Sequence, residues 1–467
     1  MTNHDIVVRN GTVVNGGDMV RCDLAIRQGR ISALGEGLQG DRVIDASGKI
    51  VVPGGIDSHV HIAQPSGPGI VMADDFESAT RSAAFGGNTT VLPFCLQEKD
   101  QGLRAAVQAY HAKADSQCYI DYGFHLIVSD PNPQVLGQEL PALLADGYSS
   151  FKVFMTYEGL ALTDEQILKV MTVAKSAGGL VMVHAENYDI IRFMTDKLEA
   201  EGRTAPHFHA TSRPALAERE ATHRALALAE LMDVPVVIVH VSNGEAIEEI
   251  QRARARGLKV IAETCPQYLV LTAKDLEGLN MEGAKYVCSP PPRDHASQIA
   301  CWKGLEDGTF QLFSSDHCPF RYDDEQGKLI PKGRTSFRWV PNGIPGVETR
   351  LPILFSEGVM KKRIDLAQFV ALTATNHAKT YGLYPRKGSI AIGADGDIVL
   401  WDPTITRRIA HADLHDGSDY TPYEGLKVTG WPVTTIVRGQ VVVENGKLVG
   451  AKGGGSFLPR LSQTTTS

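Results

Sequence analysis

At 467 residues the chain is too long for one ordinary small domain and suits a large α/β barrel carrying a smaller module. Apolar residues make up 43% and charged residues 21%, a balance that excludes the disordered and fibrous classes. The net charge of -8 is spread along the chain with no Lys/Arg block, which argues against nucleic acid as a partner.

The chain opens on Met1-Thr2-Asn3-His4-Asp5-Ile6-Val7-Val8, without the basic segment and long apolar run of a secretory signal. Apolar runs such as 234–239 reach strand length only, so no membrane partner is expected. Seven cysteines, at 22, 95, 118, 265, 288, 301 and 318, form no Cys-x-x-Cys pair. An odd, unpatterned set reads as reduced thiols in a cytoplasmic enzyme. Most read as small core residues; Cys318 stands out because it follows a candidate catalytic Asp by two positions.

Residues 1–52 alternate short β-rich runs (Ile6-Val7-Val8, Thr12-Val13-Val14, Leu24-Ala25-Ile26, Arg42-Val43-Ile44) with Gly and Asp turns, the pattern of a small antiparallel sheet. The same texture returns over 386–450, in Asp397-Ile398-Val399-Leu400-Trp401, Thr434-Thr435-Ile436-Val437 and Gln440-Val441-Val442-Val443. Two β-rich ends around a different middle predict one small, discontinuous β-sandwich domain built from both termini. Residues 451–467, with Gly453-Gly454-Gly455 and Thr464-Thr465-Thr466, read as a C-terminal arm.

The middle, 53–385, reads as the main domain. Short apolar runs recur at 50–61, 89–95, 122–128, 149–155, 179–184, 234–241, 258–263 and 310–316. Stretches with helical spacing, such as 164–177, 215–232 and 244–256, lie between them. Strand and helix in alternation imply parallel strands, and eight of them predict a closed (β/α)₈ TIM barrel. Such barrels place chemistry at the C-terminal strand ends, which makes the segments after 61, 184 and 316 candidate active-site loops.

The first proposed barrel strand ends in Pro53-Gly54-Gly55-Ile56-Asp57-Ser58-His59-Val60-His61. Residues i and i+2 of a strand point to one side, so His59 and His61 can converge on one metal. A bare His-x-His is weak evidence, as His207-Phe208-His209 shows: it lies in a polar stretch and reads as a surface or packing pair. Position separates the two. Strand five ends in His184-Ala185-Glu186, strand six in His240-Val241-Ser242 and strand eight in Asp316-His317. Each alone reads as a satisfied histidine or a capping aspartate, but four His and one Asp at the same end of four strands form a ligand set for zinc or a similar divalent ion.

Lys152, in Ser150-Phe151-Lys152-Val153-Phe154, places an ammonium inside an apolar strand, where desolvation is costly. Beside two dications it could not stay protonated, and a neutral amine can take up carbon dioxide as a bridging carbamate. The plainer reading, a buried stem whose head reaches a partner at the barrel mouth, normally prevails for a lone lysine.

Together these motifs resemble the hydantoinase/dihydropyrimidinase family of the amidohydrolase superfamily over nearly the whole chain. The markers are Gly54 to His61, Ser150-Phe151-Lys152-Val153-Phe154-Met155, His184-Ala185-Glu186-Asn187, Glu263-Thr264-Cys265-Pro266-Gln267-Tyr268-Leu269, Ser315-Asp316-His317-Cys318 and Asp419-Tyr420-Thr421-Pro422-Tyr423-Glu424-Gly425. The resemblance implies two divalent metal ions, with Zn2+ expected. His59 and His61 would hold one ion and His184 and His240 the other, with N6-carboxylated Lys152 between them. Asp316 would ligate the first ion and carry the proton. Tyr157 would stabilise the developing oxyanion, while Ser289 and Asn342 would grip the imide face through backbone groups.

The implied reaction is hydrolysis of a dihydropyrimidine or 5-substituted hydantoin to its N-carbamoyl amino acid, in a cytoplasmic homotetramer. An allantoinase or a cyclic-imide hydrolase is a rival on the same scaffold. A non-catalytic scaffold relative is a rival of another class, and retention of every ligand argues against it. Segments 62–72, 155–160 and 287–292 contain no Arg or Lys, so neutral rings are expected over the anionic dihydroorotate. One departure stands out: Ile62-Ala63-Gln64-Pro65-Ser66-Gly67-Pro68-Gly69-Ile70-Val71-Met72 replaces a bulkier family stretch, which leaves the natural substrate open.

Overall fold

The computed structural model describes residues 4–462, so residues 1–3 and the threonine run of the arm lie outside the described residues. Five strands come first: β1 (His4–Asn15), β2 (Asp18–Arg27), β3 (Arg30–Gly35), β4 (Gly40–Asp45) and β5 (Ile50–Pro53). The middle supplies β6 (Gly55–Val60), β7 (Asn88–Leu96), β8 (Asp121–Tyr122), β9 (His125–Ile127) and β10 (Ser150–Phe154). It continues with β11 (Leu180–His184), β12 (Val236–Ile238), β13 (Val260–Thr264) and β14 (Leu312–Phe313). The far end adds β15 (Ile398–Arg408), β16 (Lys427–Val437), β17 (Gln440–Glu444) and β18 (Lys447–Leu448).

Strands β6, β7, β9, β10, β11, β12, β13 and β14 pair in that order, all parallel, with β8 as a side strand on β7. A parallel bridge between Val60 and His317 joins the first strand to the last, and the His61 N–H donates to the His317 carbonyl at 2.6 Å. The expected eight-stranded TIM barrel is therefore present. Around it, helix Asp164–Ala177 shows how the sequence builds each crossover. A Thr163/Gln166 capping box starts it, Gly178 in the left-handed region ends it, and Ile167, Val170, Met171 and Ala174 line its buried face.

The apolar run 50–61 is two strands rather than one. β5 pairs with β1 and β15 in the terminal sheet, and only β6 belongs to the barrel. The break falls at Gly54, where a Cβ would sit 2.1 Å from Thr89 Oγ1. The terminal sheet is mixed rather than antiparallel, because β1 serves two returning strands. Its first half pairs with β4 and its second half with β5, both parallel, on either side of an irregularity between Val8 and Gly11. Both chain ends fill this module's core: Val8, Leu24, Ile26 and Val51 meet Ile398, Leu400 and Ile436. Each such buried side chain is worth about 1.5–3 kcal/mol over exposure, so the two halves hold each other.

The 409–426 connection leaves this module and lies on the barrel, where the Gly417 N–H reaches Asp74 and the Tyr322 N–H reaches Asp419. The arm also docks on the barrel. Ser456 and Leu458 pair with Tyr122, and buried Arg460 donates to Ser150 Oγ at 2.8 Å. Among the described residues, no helix is long and apolar enough to cross a membrane.

Candidate active site

Strand ends deliver the candidate residues to one place. His59 lies near the end of β6 and His61 just past it; His184 closes β11, His240 follows β12 by two residues and Asp316 follows β14 by three. The ligand atoms of His59, His61 and Asp316 all lie within 4.8 Å of one another. Asp316 Oδ1 is 3.1 Å from His59 Nε2 and 3.6 Å from His61 Nε2. A second pair stands beside them, with His184 Nδ1 2.9 Å from His240 Nε2 and the His59 and His240 ring centres 5.3 Å apart. Buried Lys152 stands between the two groups: its Nζ lies over the ring of Phe94, which packs on His59 and His61, and over Phe154, which packs on His184.

The outward nitrogens of three of these rings are occupied. His59 Nδ1–H donates to Glu263 Oε1 at 2.6 Å, His61 Nδ1–H to Gln64 Oε1 at 2.8 Å and His184 Nε2–H to Glu186 Oε2 at 2.7 Å. A carboxylate or amide oxygen only accepts, so each bond places a ring proton on the outward nitrogen and turns the other nitrogen toward the cluster. The donor set and its orientation therefore fit divalent metal, with imidazole and carboxylate ligands suited to zinc.

Charge in the site follows burial and partners. Burial draws the Lys152 amine down to about 8, against the pull of Glu263 and Asp316. It would raise Asp316, but His59 and His61 hold that carboxyl well below its usual range. Glu186, raised by burial alone, is brought to about 2 by Arg213 and His184. Burial pushes the Tyr157 phenol up to about 12, so the hydroxyl keeps its proton at neutral pH.

Tyr157, His240 and Asp316 have φ of 76°, 40° and 51°, in the left-handed region that side chains rarely occupy. Each costs roughly 1–3 kcal/mol, and such backbone clusters at sites where the fold aims a side chain. The Tyr157 ring lies 5.3 Å from that of His184, and the phenol faces Ser289 and Asn342. Ser289 Oγ is buried without a hydrogen-bond partner among the described residues. All nine candidate residues thus border one region.

Several neighbours were not assigned a role by sequence reasoning. Glu263 and Glu186 orient ring nitrogens, and Arg213 donates to Glu186 at 2.8 Å. Asp57 Oδ1 accepts the backbone N–H groups of His59 and Ser315, which registers the ends of the first and last barrel strands. A signal existed for two of them: Glu263 is an acid at a strand end, and Glu186 follows His184 by two positions. His209, of the pair read as surface or packing residues, is buried, and its Nε2–H donates to the Cys288 carbonyl at 2.8 Å. In the atypical 62–72 loop, Gln64 is the residue that reaches a candidate ligand.

Residues 50–442 match the family model described as "Amidohydrolase family". A D-hydantoinase of Ralstonia pickettii is 46% identical over 458 residues, covering 98% of this chain and 99% of the relative. A D-hydantoinase of Geobacillus stearothermophilus is also 46% identical, over 97% of this chain and 96% of the relative. Among solved structures, a dihydropyrimidinase from Brevibacillus agri superposes with a TM-score of 0.95 at 45% identity, over 98% of both chains.

Proposed function

This chain belongs to the amidohydrolase family, in its hydantoinase/dihydropyrimidinase group, and on that premise we propose that its substrate is a neutral dihydropyrimidine or 5-substituted hydantoin, opened to the N-carbamoyl amino acid. Cyclic-amide hydrolysis with a binuclear metal centre is the chemistry of this group. In the proposed site His59, His61 and Asp316 would hold one ion and His184 and His240 the other, with Lys152, as an N6-carbamate, the residue between them. When bound, two such ions lower the pKa of water and polarise the scissile carbonyl.

The chain's own residues then divide the remaining work. Asp316 accepts the proton of the attacking water and returns it to the ring nitrogen as the C–N bond breaks. The Tyr157 phenol, protonated at neutral pH, donates to the charge that develops on the carbonyl oxygen. Backbone groups at Ser289 and Asn342 align the imide face. The observation that carries this reading is the convergence of His59, His61 and Asp316 beside the His184–His240 pair, with Lys152 between. Zinc as the resident metal, a homotetrameric assembly and a cytoplasmic location complete the proposal.

Local cations support the preference for neutral rings. Arg213 lies over the Tyr157 ring, but its guanidinium is tied to Glu186, and Arg293 is tied to Glu218. The test is a turnover panel of dihydrouracil, dihydrothymine, hydantoin, phenylhydantoin, allantoin, dihydroorotate and succinimide. Dihydrouracil or a hydantoin should lead, with dihydroorotate far behind. Allantoin or succinimide in first place, or dihydroorotate equal to dihydrouracil, contradicts the substrate assignment.

A further inference from the structure

Lys328 is fully buried, with none of its surface exposed, and lies outside the metal cluster. Its Nζ donates to the Val287 carbonyl at 2.6 Å and to the Pro341 carbonyl at 2.7 Å. Those carbonyls stand two residues before Ser289 and one before Asn342. The Val287 carbonyl also accepts the Gly343 N–H at 3.0 Å, and the next carbonyl, of Cys288, is held by His209. Gly343 itself has φ +147°, and a Cβ there would lie 2.5 Å from Cys318 Sγ, so this crossing admits only glycine.

We propose that Lys328 is a positioning residue for the reaction: it clamps segment 287–289 to segment 341–343 and so sets the spacing at which Ser289 and Asn342 meet the imide group of the ring. The proposal rests on the reading of those two residues as ring contacts given above. A buried amine is an expensive way to fill space, since an apolar side chain of similar volume avoids the desolvation cost. What the amine adds is two N–H donors aimed at two carbonyls from different segments. An ammonium has three such donors and a neutral amine two, so the clamp holds in either protonation state. Burial draws this amine down to about 7, with the Cys288 and Cys318 thiols beside it. Without the clamp both carbonyls lose a donor, and the Gly343 N–H to Val287 carbonyl bond is left to set the spacing of the two segments without the amine. A misplacement of about 1 Å in a positioning contact costs on the order of a hundredfold in rate.

The experiment compares hydantoin with 3-methylhydantoin, whose imide nitrogen has no proton to donate. It uses the metal-replete wild type, Lys328→Met and Lys328→Arg, with metal content and melting temperature measured for each. The wild type should favour hydantoin in kcat/KM. In Lys328→Met the hydantoin value should fall by about tenfold to a hundredfold, the methylated substrate should change little, and the ratio should collapse. Amide exchange should quicken in peptides covering 287–289 and 341–343. A purely structural role lowers the active fraction and scales both substrates alike, so a folded, metal-replete Lys328→Met with the wild-type ratio overturns the clamp. Should that variant not fold, Lys328→Arg carries the same test, because its fork spaces the two acceptors differently; an unchanged ratio there overturns the clamp equally. A wild type that opens hydantoin without discriminating overturns the imide contact and the clamp with it. A wild type that opens neither ring overturns the proposed function itself.

Discussion

Glu263 Oε1 accepts the ring N–H of His59 at 2.6 Å and the backbone N–H of His240 at 3.2 Å. One buried carboxylate oxygen thus braces a proposed ligand from each half of the cluster. Its second oxygen accepts from Ser314 Oγ at 2.7 Å, so the carboxylate is itself fixed. Glu263→Gln keeps the shape but weakens the acceptor, and metal affinity should fall by about 10–100-fold. Activity should return with excess zinc. Unchanged affinity in a chelator titration would remove Glu263 from the support of the site.

Asp316→Asn keeps size while removing the proton acceptor. Turnover should fall by about a hundredfold or more in protein whose metal content matches the wild type. Metal must be measured on the same sample, because Asp316 is also a proposed ligand. Near-normal turnover with metal retained takes Asp316 out of proton transfer.

Lys152→Ala should lose the bridge and most activity while keeping the fold, because the lost stem leaves only a local cavity. Added acetate or propionate should restore part of the activity, and equal chloride none. Recovery stays partial because a free acid must be ordered at each binding event. Lys152→Arg should not be rescued, since a permanent cation fills the space. An intact mass or electron density showing an unmodified lysine in fully active, two-metal enzyme would overturn the bridging role.

The Lys328 amine also makes a prediction about pH. Its folded value, about 7, lies below the unfolded value near 10.5. Below pH 7 both states carry the proton and the full cost of burying charge remains. Between pH 7 and 10.5 the unfolded state keeps a proton that the folded state has lost, so stability from this group rises with pH. The melting temperature of the wild type, taken relative to Lys328→Met, should therefore climb from pH 7 to pH 10. A flat or falling difference contradicts the buried-amine assignment.

The candidate metal cluster was legible in the sequence because strand geometry is periodic. His59 and His61 share a face by their spacing, and each other candidate ligand announced itself as a polar residue ending an apolar run, or, for Lys152, interrupting one. The β5–β6 break was not legible, because residues 50–61 are apolar enough to read as one strand and the change of partner, from Asp397 at Gly54 to Gly87 at Gly55, lies on distant segments. The role of Glu263 was hidden for a similar reason: its partner His59 is 204 residues away. Lys328 sits in a polar loop stretch with no periodicity, so its burial and its two carbonyl partners exist only in the folded chain. The same holds for the parallel pairing of β1 with β4 and β5, since strand texture carries no direction.

The most direct test of the account follows the product. Metal-replete protein, with divalent metal counted on the same sample, is incubated with dihydrouracil and with a 5-substituted hydantoin, and the products are identified by mass. The account predicts about two divalent ions per chain and ring-opened N-carbamoyl amino acids, each one water heavier than its substrate, with activity lost on chelation and regained with zinc. Full activity with a single ion per chain, or two bound ions and no ring-opened product from either substrate, would contradict it.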